Sequence, residues 1–305
     1  MKKFSLIGVL LTLSAAFLWG TVGTAQSLAP GSASPYWLGA LRLVLACLFF
    51  QLLFAYRQAK NTATTSAEGQ QVAAQRHLYW GFVVGAGVCM GLYNLAFFAG
   101  VKATGIAVGT ATTIGSAPIW AGLLEAVWLR KSPSALWWGG VLCATSGGIW
   151  MVLSQSASWV INPVGLMTCL GAGFCYALYT LLSKRLVAIA SPLTITKHTF
   201  AIAMLIAVPV AWGMAGTPSL TLPTWLIIAY LGICTTGIAY LLFTLALKHM
   251  SAATCVALGL FEPIVAFGLA IVVAREPISM LAFGGLCLIL AGLWLVLRGE
   301  SATNQ

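Results

Sequence analysis

The chain has 305 residues, of which 60% are hydrophobic and only 7% are charged. A soluble domain carries about 25% charged residues, so this composition excludes a soluble enzyme. The net charge of +10 does not indicate nucleic-acid binding, because the 15 Lys and Arg residues stand singly or in pairs between long apolar runs. Such a pattern is typical of a protein that crosses a membrane several times.

A helix that crosses the apolar layer of a membrane needs about 20 mainly apolar residues. Dividing the sequence at charges, polar stretches and Pro/Gly clusters predicts an all-α integral membrane protein with ten transmembrane helices. Their ranges are 5–28, 35–56, 78–99, 105–128, 134–153, 162–182, 194–214, 222–245, 252–274 and 278–297. The polar stretch 57–77 lacks hydrophobic periodicity, which predicts a flexible loop.

The first segment resembles a signal peptide, since Lys2 and Lys3 precede an apolar run. The run continues to Leu28, long enough to span the membrane, which favours an uncleaved first helix. With the amino terminus inside, 11 basic residues fall on the cytoplasmic side and only Lys102 and Arg275 outside. This imbalance predicts a multi-pass protein of the cell inner membrane with both termini in the cytoplasm.

The eight Cys residues all lie inside predicted spans, and no Cys-x-x-Cys pair or His cluster accompanies them. They are interpreted as small packing residues. No metal and no cofactor is expected.

An internal repeat divides the chain into residues 1–156, with the loop 57–77, and residues 157–305. The first two spans match the sixth and seventh at an offset of 157, as in Ser34-Pro35 and Ser191-Pro192. The fourth and fifth match the ninth and tenth, as in Pro118-Ile119 and Pro263-Ile264. Because each half has an odd number of predicted helices, the two halves are expected to be inverted repeats. Such repeats favour alternating access to a midplane site.

Charged residues within the spans are the strongest candidates for a functional role, because intramembrane charge is energetically costly. Glu262 lies about eleven residues into the ninth span, and Pro263 beside it frees a backbone carbonyl near Gly259. Arg42 lies in the second span, where it could bind a carboxylate, pair with Glu262, or serve as a structural or gating charge. Glu125, near the inner end of the fourth span, is expected at the membrane interface.

Polar and aromatic residues in the middle of the spans complete the predicted substrate site. The predicted binding residues are Trp19, Tyr93, Asn94, Thr113, Tyr176, Tyr179, Tyr240 and Glu262. Pro118 and Pro263 are predicted to break their helices. A cavity with these residues would suit an amphipathic small molecule.

Several short motifs occur in a fixed order across both halves. They are Leu18-Trp19-Gly20, Ser34-Pro35 followed by Arg42, Ala246-Leu247-Lys248, Phe261-Glu262-Pro263 and Arg275-Glu276-Pro277 followed by Gly284-Gly285. In these motifs the chain resembles the EamA-like branch of the drug/metabolite transporter superfamily. The resemblance implies a bacterial inner-membrane carrier with five plus five helices, often an exporter of amino acids or related metabolites.

The sequence therefore predicts a secondary transporter of a small metabolite, with export as the favoured direction. A lipid or lipid-linked substrate flippase and a membrane-embedded enzyme are the alternatives. An enzyme is disfavoured because the chain has no Asp and only one central Glu. The expected partners are the substrate and membrane lipids, with a proton as a candidate coupling ion. Nucleic acid is not expected, and a monomer and a weak homodimer both stay open.

Overall fold

The computed structural model describes residues 5–28, 34–60, 62–128, 130–153, 162–218, 220–273 and 280–303. All regular structure in these ranges is helical. Lys2, Lys3, Arg275 and Glu276, which entered the sequence predictions, lie outside them. The helices are α1 (Leu6–Gly20), α2 (Val22–Ser27), α3 (Pro35–Lys60), α4 (Thr62–Ala74), α5 (Arg76–Thr104), α6 (Ile106–Trp128), α7 (Ala135–Leu153), α8 (Pro163–Leu186), α9 (Pro192–Ala215), α10 (Leu222–Tyr230), α11 (Ala239–Ala246), α12 (Ala252–Leu258), α13 (Glu262–Val272) and α14 (Met280–Thr303).

Eight helical segments in the described ranges are long and apolar enough to cross a membrane. They are Leu6–Ser27, Pro35–Lys60, Arg76–Thr104, Pro163–Leu186, Pro192–Ala215, Leu222–Ala246, Ala252–Val272 and Ala282–Ser301. The other two predicted spans, 105–128 and 134–153, coincide with α6 and α7, which are helical but do not belong to these eight. The chain is thus an all-helical, multi-pass membrane protein.

Residues 57–60, 62–74 and 76–77 of the polar stretch are helical, so the prediction of a flexible loop is wrong. Helix α3 continues to Lys60, and α4 follows almost at once. A tertiary contact holds α4 in place: Glu68 accepts a hydrogen bond from the Ser191 backbone N–H at 2.6 Å, at the start of α9. Burial alone would raise the pKa of Glu68, but hydrogen bonds from Ser191 and Thr194 outweigh it and keep this pKa below its ordinary value.

Two of the long segments have irregularities that the sequence analysis did not predict. The first helix is interrupted at Thr21, whose hydroxyl lies 2.7 Å from both the Leu18 carbonyl oxygen and the Tyr230 hydroxyl. Between α10 and α11 the chain forms a π-helix over Leu231–Ile238. Such π-helical segments frequently occur at functional sites.

The two prolines that were predicted to break helices behave differently. Before Pro263, residues Gly259–Phe261 form a 3₁₀ turn that separates α12 from α13. Pro118 instead lies inside α6, which is helical on both sides, so the prediction of a break there is wrong. A proline removes only one backbone donor, and in membrane helices neighbouring groups commonly compensate for that loss.

The bundle has two ends that can be defined by contacts. At one end, called the terminal end here, Gly8 of α1 packs against His249 and Met250, and Glu300 of α14 binds Ser251. At the opposite end, the Trp37 indole N–H donates to the Gly216 carbonyl at 2.8 Å. The start of α1 and the end of α14 therefore lie at the same end of the bundle.

Helices α7 and α14 approach each other closely through glycines. A Cβ atom on Gly147 would lie 2.6 Å from the Gly285 carbonyl oxygen, and one on Gly285 would lie 2.6 Å from the Gly147 carbonyl oxygen. Gly140 and Gly292 meet in the same reciprocal way. Small residues of this kind allow the backbones of membrane helices to come into direct contact.

Candidate functional site

A cavity of about 80 Å³ lies inside the helix bundle. Its walls come from α1, α2, α3, α5, α6, α8, the π-helix, α11 and the α12–α13 segment. The lining residues are Trp19, Val22, Arg42, Tyr93, Phe97, Thr113, Ile114, Ala117, Tyr176, Thr235, Thr236, Tyr240, Val256, Gly259 and Glu262. Six of the eight predicted binding residues are among them, and so is Arg42.

Four aromatic rings form one continuous wall of this cavity. The ring centroid of Trp19 lies 5.1 Å from that of Tyr240 and 6.2 Å from that of Tyr176. Tyr93 extends the wall, with its centroid 5.4 Å from that of Tyr176. Ring separations in this range are favourable, so the rings support one another and present a fixed apolar surface.

The two intramembrane charges face the same cavity. Arg42 is only 9% exposed, and its guanidinium carbon lies 5.5 Å from the centre of the Phe98 ring. Arg42 and Glu262 interact electrostatically, and both charges act on Tyr93 and Tyr240. The site therefore holds one basic and one acidic side chain beside an aromatic wall.

Several polar atoms on the cavity wall have no hydrogen-bond partner among the described residues. They are the indole nitrogen of Trp19, Nε of Arg42, the hydroxyl of Thr113 and the hydroxyl of Tyr176. A buried donor without a partner is energetically costly unless a ligand satisfies it. These groups are therefore suited to a ligand that carries hydrogen-bond acceptors.

Two predicted binding residues do not line the cavity. Asn94 is 2% exposed and packs against Gly39 of α3. Tyr179 is 1% exposed and lies behind the wall, with its ring centroid 6.0 Å from that of Tyr240. Both were selected because they lie deep in their spans, but depth does not define which face of a helix a residue occupies.

Sequence reasoning missed Thr235 and Thr236, which also line the cavity. Their hydroxyls both donate to the Leu231 carbonyl at 2.8 Å, from four and five residues along the chain. The π-helix allows both side chains to bond the same carbonyl. Two adjacent Thr residues in an apolar span were the available signal for a polar site. In a regular α-helix, however, adjacent side chains point to different faces, so the pair did not predict two cavity residues.

A larger space of about 350 Å³ continues from this cavity toward the opposite end of the bundle. The two share Trp19, Arg42 and Glu262, and the larger one is also lined by Pro263. It extends past Gln26 and Val101, near the ends of α2 and α5. Toward the terminal end, every residue of α12 is buried. Among the described residues, the path formed by the two spaces is therefore closed by α12 at the terminal end, and its lining extends toward the opposite end.

Glu125 lies on the closed side. It is 6% exposed and accepts hydrogen bonds from the backbone N–H groups of Ala252 and Ala253. The start of α12 therefore covers Glu125 at the terminal end of the bundle. Its position at the membrane interface stays a prediction.

These features define a multi-pass membrane protein whose helix bundle contains an aromatic-walled cavity lined by Arg42 and Glu262. The family model of the EamA-like transporter family matches residues 6–153 and 163–298. The chain belongs to this family. It is a membrane transporter, and the names of its relatives indicate transport and not catalysis.

Named relatives and a solved structure agree with this assignment. The chain is 36% identical to the uncharacterized transporter YwfM of Bacillus subtilis (strain 168), over 94% of this chain and 92% of the relative. It is 28% identical to the threonine/homoserine exporter RhtA of Escherichia coli (strain K12), over 97% and 94% of the two chains. One crystal structure covers 98% of this chain and 99% of its own, with a TM-score of 0.79 and 18% identity, which supports the fold alone.

Proposed function

We propose that this protein is a secondary carrier that moves an amino acid or a related amphipathic metabolite by alternating access. The observation that carries the proposal is the internal cavity, which is lined by Arg42 and Glu262, extends toward one end of the bundle and is covered by α12 at the other. Export is the proposed direction, supported by the relative named as a threonine/homoserine exporter.

The charges of the cavity suit a zwitterionic substrate. Arg42 would bind the carboxylate, because its guanidinium is fixed, buried and incompletely hydrogen-bonded. The indole N–H of Trp19 and the hydroxyl of Thr113 would supply further donors. Glu262 would bind the ammonium group, and the aromatic wall would contact the apolar part of the substrate.

We further propose ten spans arranged as two inverted repeats, residues 1–156 and 157–305. The packing of the helices supports this, because equivalent helices of the two halves make equivalent contacts. Helix α5 packs against α8, and its counterpart, the π-helix with α11, packs against α1. Helix α6 also packs against α8, and its counterpart, α12 with α13, packs against α1. The glycine contacts between α7 and α14 agree, since Gly140 corresponds to Gly285 and Gly147 to Gly292 at one offset. Inverted repeats exchange conformations to open a shared site to either side.

The proposed setting is the inner membrane, with the terminal end of the bundle in the cytoplasm. The distribution of Lys and Arg supports this orientation, as does the location of the α1 start and the α14 end at one end of the bundle. In this orientation the larger space extends toward the outer side of the membrane. A proton is proposed as the coupling ion and Glu262 as its carrier, since this carboxylate lines the cavity.

A counterflow assay tests the carrier proposal. Purified protein in liposomes loaded with one unlabelled amino acid should accumulate that radiolabelled amino acid transiently from outside, and Arg42→Gln should reduce the uptake strongly. A panel that includes threonine, homoserine and aromatic amino acids should identify at least one substrate. If no compound of a broad amino-acid and metabolite panel shows counterflow while labelled lipids exchange between leaflets, the flippase alternative replaces the carrier.

A further inference from the structure

The closed end of the path consists mainly of one short helix. All seven residues of α12 are buried, and the helix packs against α1, α6, α8 and α14. It begins at the terminal end of the bundle and reaches the cavity, where Val256 and Gly259 line the wall. The 3₁₀ turn at Gly259–Phe261 separates α12 from α13, so the two parts are not one rigid helix.

Side chains from two neighbouring helices hold the start of α12. Glu125 of α6 accepts hydrogen bonds from the Ala252 N–H at 2.9 Å and the Ala253 N–H at 3.3 Å. Glu300 of α14 accepts from the Ser251 hydroxyl at 2.8 Å and the Thr254 hydroxyl at 2.6 Å. Hydrogen bonds with a charged acceptor are among the stronger ones in proteins.

A third helix holds the turn that precedes α12. The ammonium group of Lys184, on α8, donates to the carbonyl oxygens of Leu247 and Met250. Three helices thus contribute acidic or basic side chains that bind the segment from Leu247 to Thr254. At the opposite end, the turn between α5 and α6 is held differently: Thr104 donates to the Gly100 carbonyl of its own helix, and no described carboxylate is hydrogen-bonded to that turn.

We propose that the segment from Ser251 to Thr254 is the gate at the terminal end of the transport path, and that Glu125 is the residue that holds it shut. The inference rests on the proposed carrier function. Glu125 acts as a positioning residue: it does not line the cavity but determines whether α12 stays packed across the path. Opening of this end requires that α12 separate from α6, which breaks both hydrogen bonds to Glu125.

Cys255 provides a native probe for this movement. It lies within α12, is fully buried and contacts Thr12 of α1. A membrane-impermeant maleimide should label Cys255 slowly in the wild-type protein in nanodiscs. In Glu125→Ala the labelling rate should rise about tenfold or more, because the Ala252 and Ala253 N–H groups lose their buried acceptor, and leaving buried donors unpaired shifts a two-state equilibrium by that amount. Mass spectrometry of the Cys255 peptide gives the rate.

Two internal controls separate gating from general loosening. Glu68 of α4 binds the start of α9 in a similar way, and no residue of α9 lines either cavity. Glu68→Ala should therefore leave Cys255 labelling unchanged. Cys169 of α8 is also fully buried and should stay unlabelled in every variant. Glu125→Gln keeps an oxygen acceptor and should raise Cys255 labelling only about two- to threefold.

The proposal is overturned if Cys255 labelling in Glu125→Ala equals the wild-type rate, if Glu68→Ala raises it equally, or if Cys169 becomes labelled in parallel. If the Ala variant cannot be recovered, Glu125→Gln decides, and an unchanged rate there overturns the proposal. The labelling needs no substrate. Unchanged labelling in a protein that performs counterflow therefore refutes the gate alone, whereas absent counterflow refutes the carrier whatever the labelling.

Discussion

The close contact between α7 and α14 makes a quantitative prediction for two adjacent glycines. In Gly140→Ala, the new Cβ atom would lie 2.6 Å from the Val296 backbone nitrogen and 2.7 Å from the Gly292 carbonyl oxygen. These are backbone atoms, which cannot move aside as a flexible side chain can. The helices must therefore separate locally, and such overpacking costs about 1–3 kcal/mol.

Gly139 is the matched control, since a Cβ atom there meets nothing within 4 Å. Both substitutions gain the same helix-forming advantage of alanine over glycine, roughly 0.5–1 kcal/mol, which cancels in the comparison. Gly140→Ala is therefore expected to be about 1–3 kcal/mol less stable than Gly139→Ala. Reversible unfolding in mixed micelles, followed by circular dichroism, measures the difference. Equal stability of the two variants would refute the packing argument.

Three further predictions concern the site and the α4 contact. Glu262→Gln should abolish the dependence of transport on a pH gradient, whereas exchange at equal pH should continue with a raised KM, because Gln still accepts a hydrogen bond from the ammonium group; unchanged gradient dependence would remove Glu262 from proton coupling. Tyr176→Phe removes an unpartnered hydroxyl from the cavity wall and should raise the transport KM about two- to tenfold, whereas Tyr179→Phe, behind the wall, should leave KM unchanged. Glu68→Ala should destabilise the protein by about 1 kcal/mol at pH 7 through loss of a helix cap. Because folding lowers the pKa of Glu68, its stabilisation is complete above the ordinary carboxyl pKa and is lost as the pH falls through the lower folded value. Unfolding titrations should therefore show the difference between wild type and variant shrinking below about pH 4, and a difference independent of pH would contradict this account.

Much of the site could be predicted because intramembrane polar residues are rare and costly. Arg42 and Glu262 are identifiable by charge alone, and Trp19 and Tyr176 by their equivalent positions in the two repeats. All four line the cavity. Helical periodicity fails where the helix itself is irregular, which is why the contribution of the π-helix at Leu231–Ile238 escaped prediction.

Glu125 and Glu68 show the complementary limit. Glu68 lies in the predicted loop 57–77 and Glu125 near the end of a predicted span, and at both places exposure to water is the simplest expectation. Each instead accepts hydrogen bonds from the start of a helix more than a hundred residues away in sequence. No local pattern encodes such a contact, because it depends on which helix starts are brought together by the packing of the bundle.

The amino-acid sequence by itself determined the membrane environment, the helical class and the identity of the central charges, because a low-dielectric surrounding restricts composition and requires backbone groups to bond within helices. The tertiary structure alone decided which faces of those helices enclose the cavity, and which end of it α12 closes. Those features depend on the rotation and relative height of packed helices, which the sequence of a single helix does not determine.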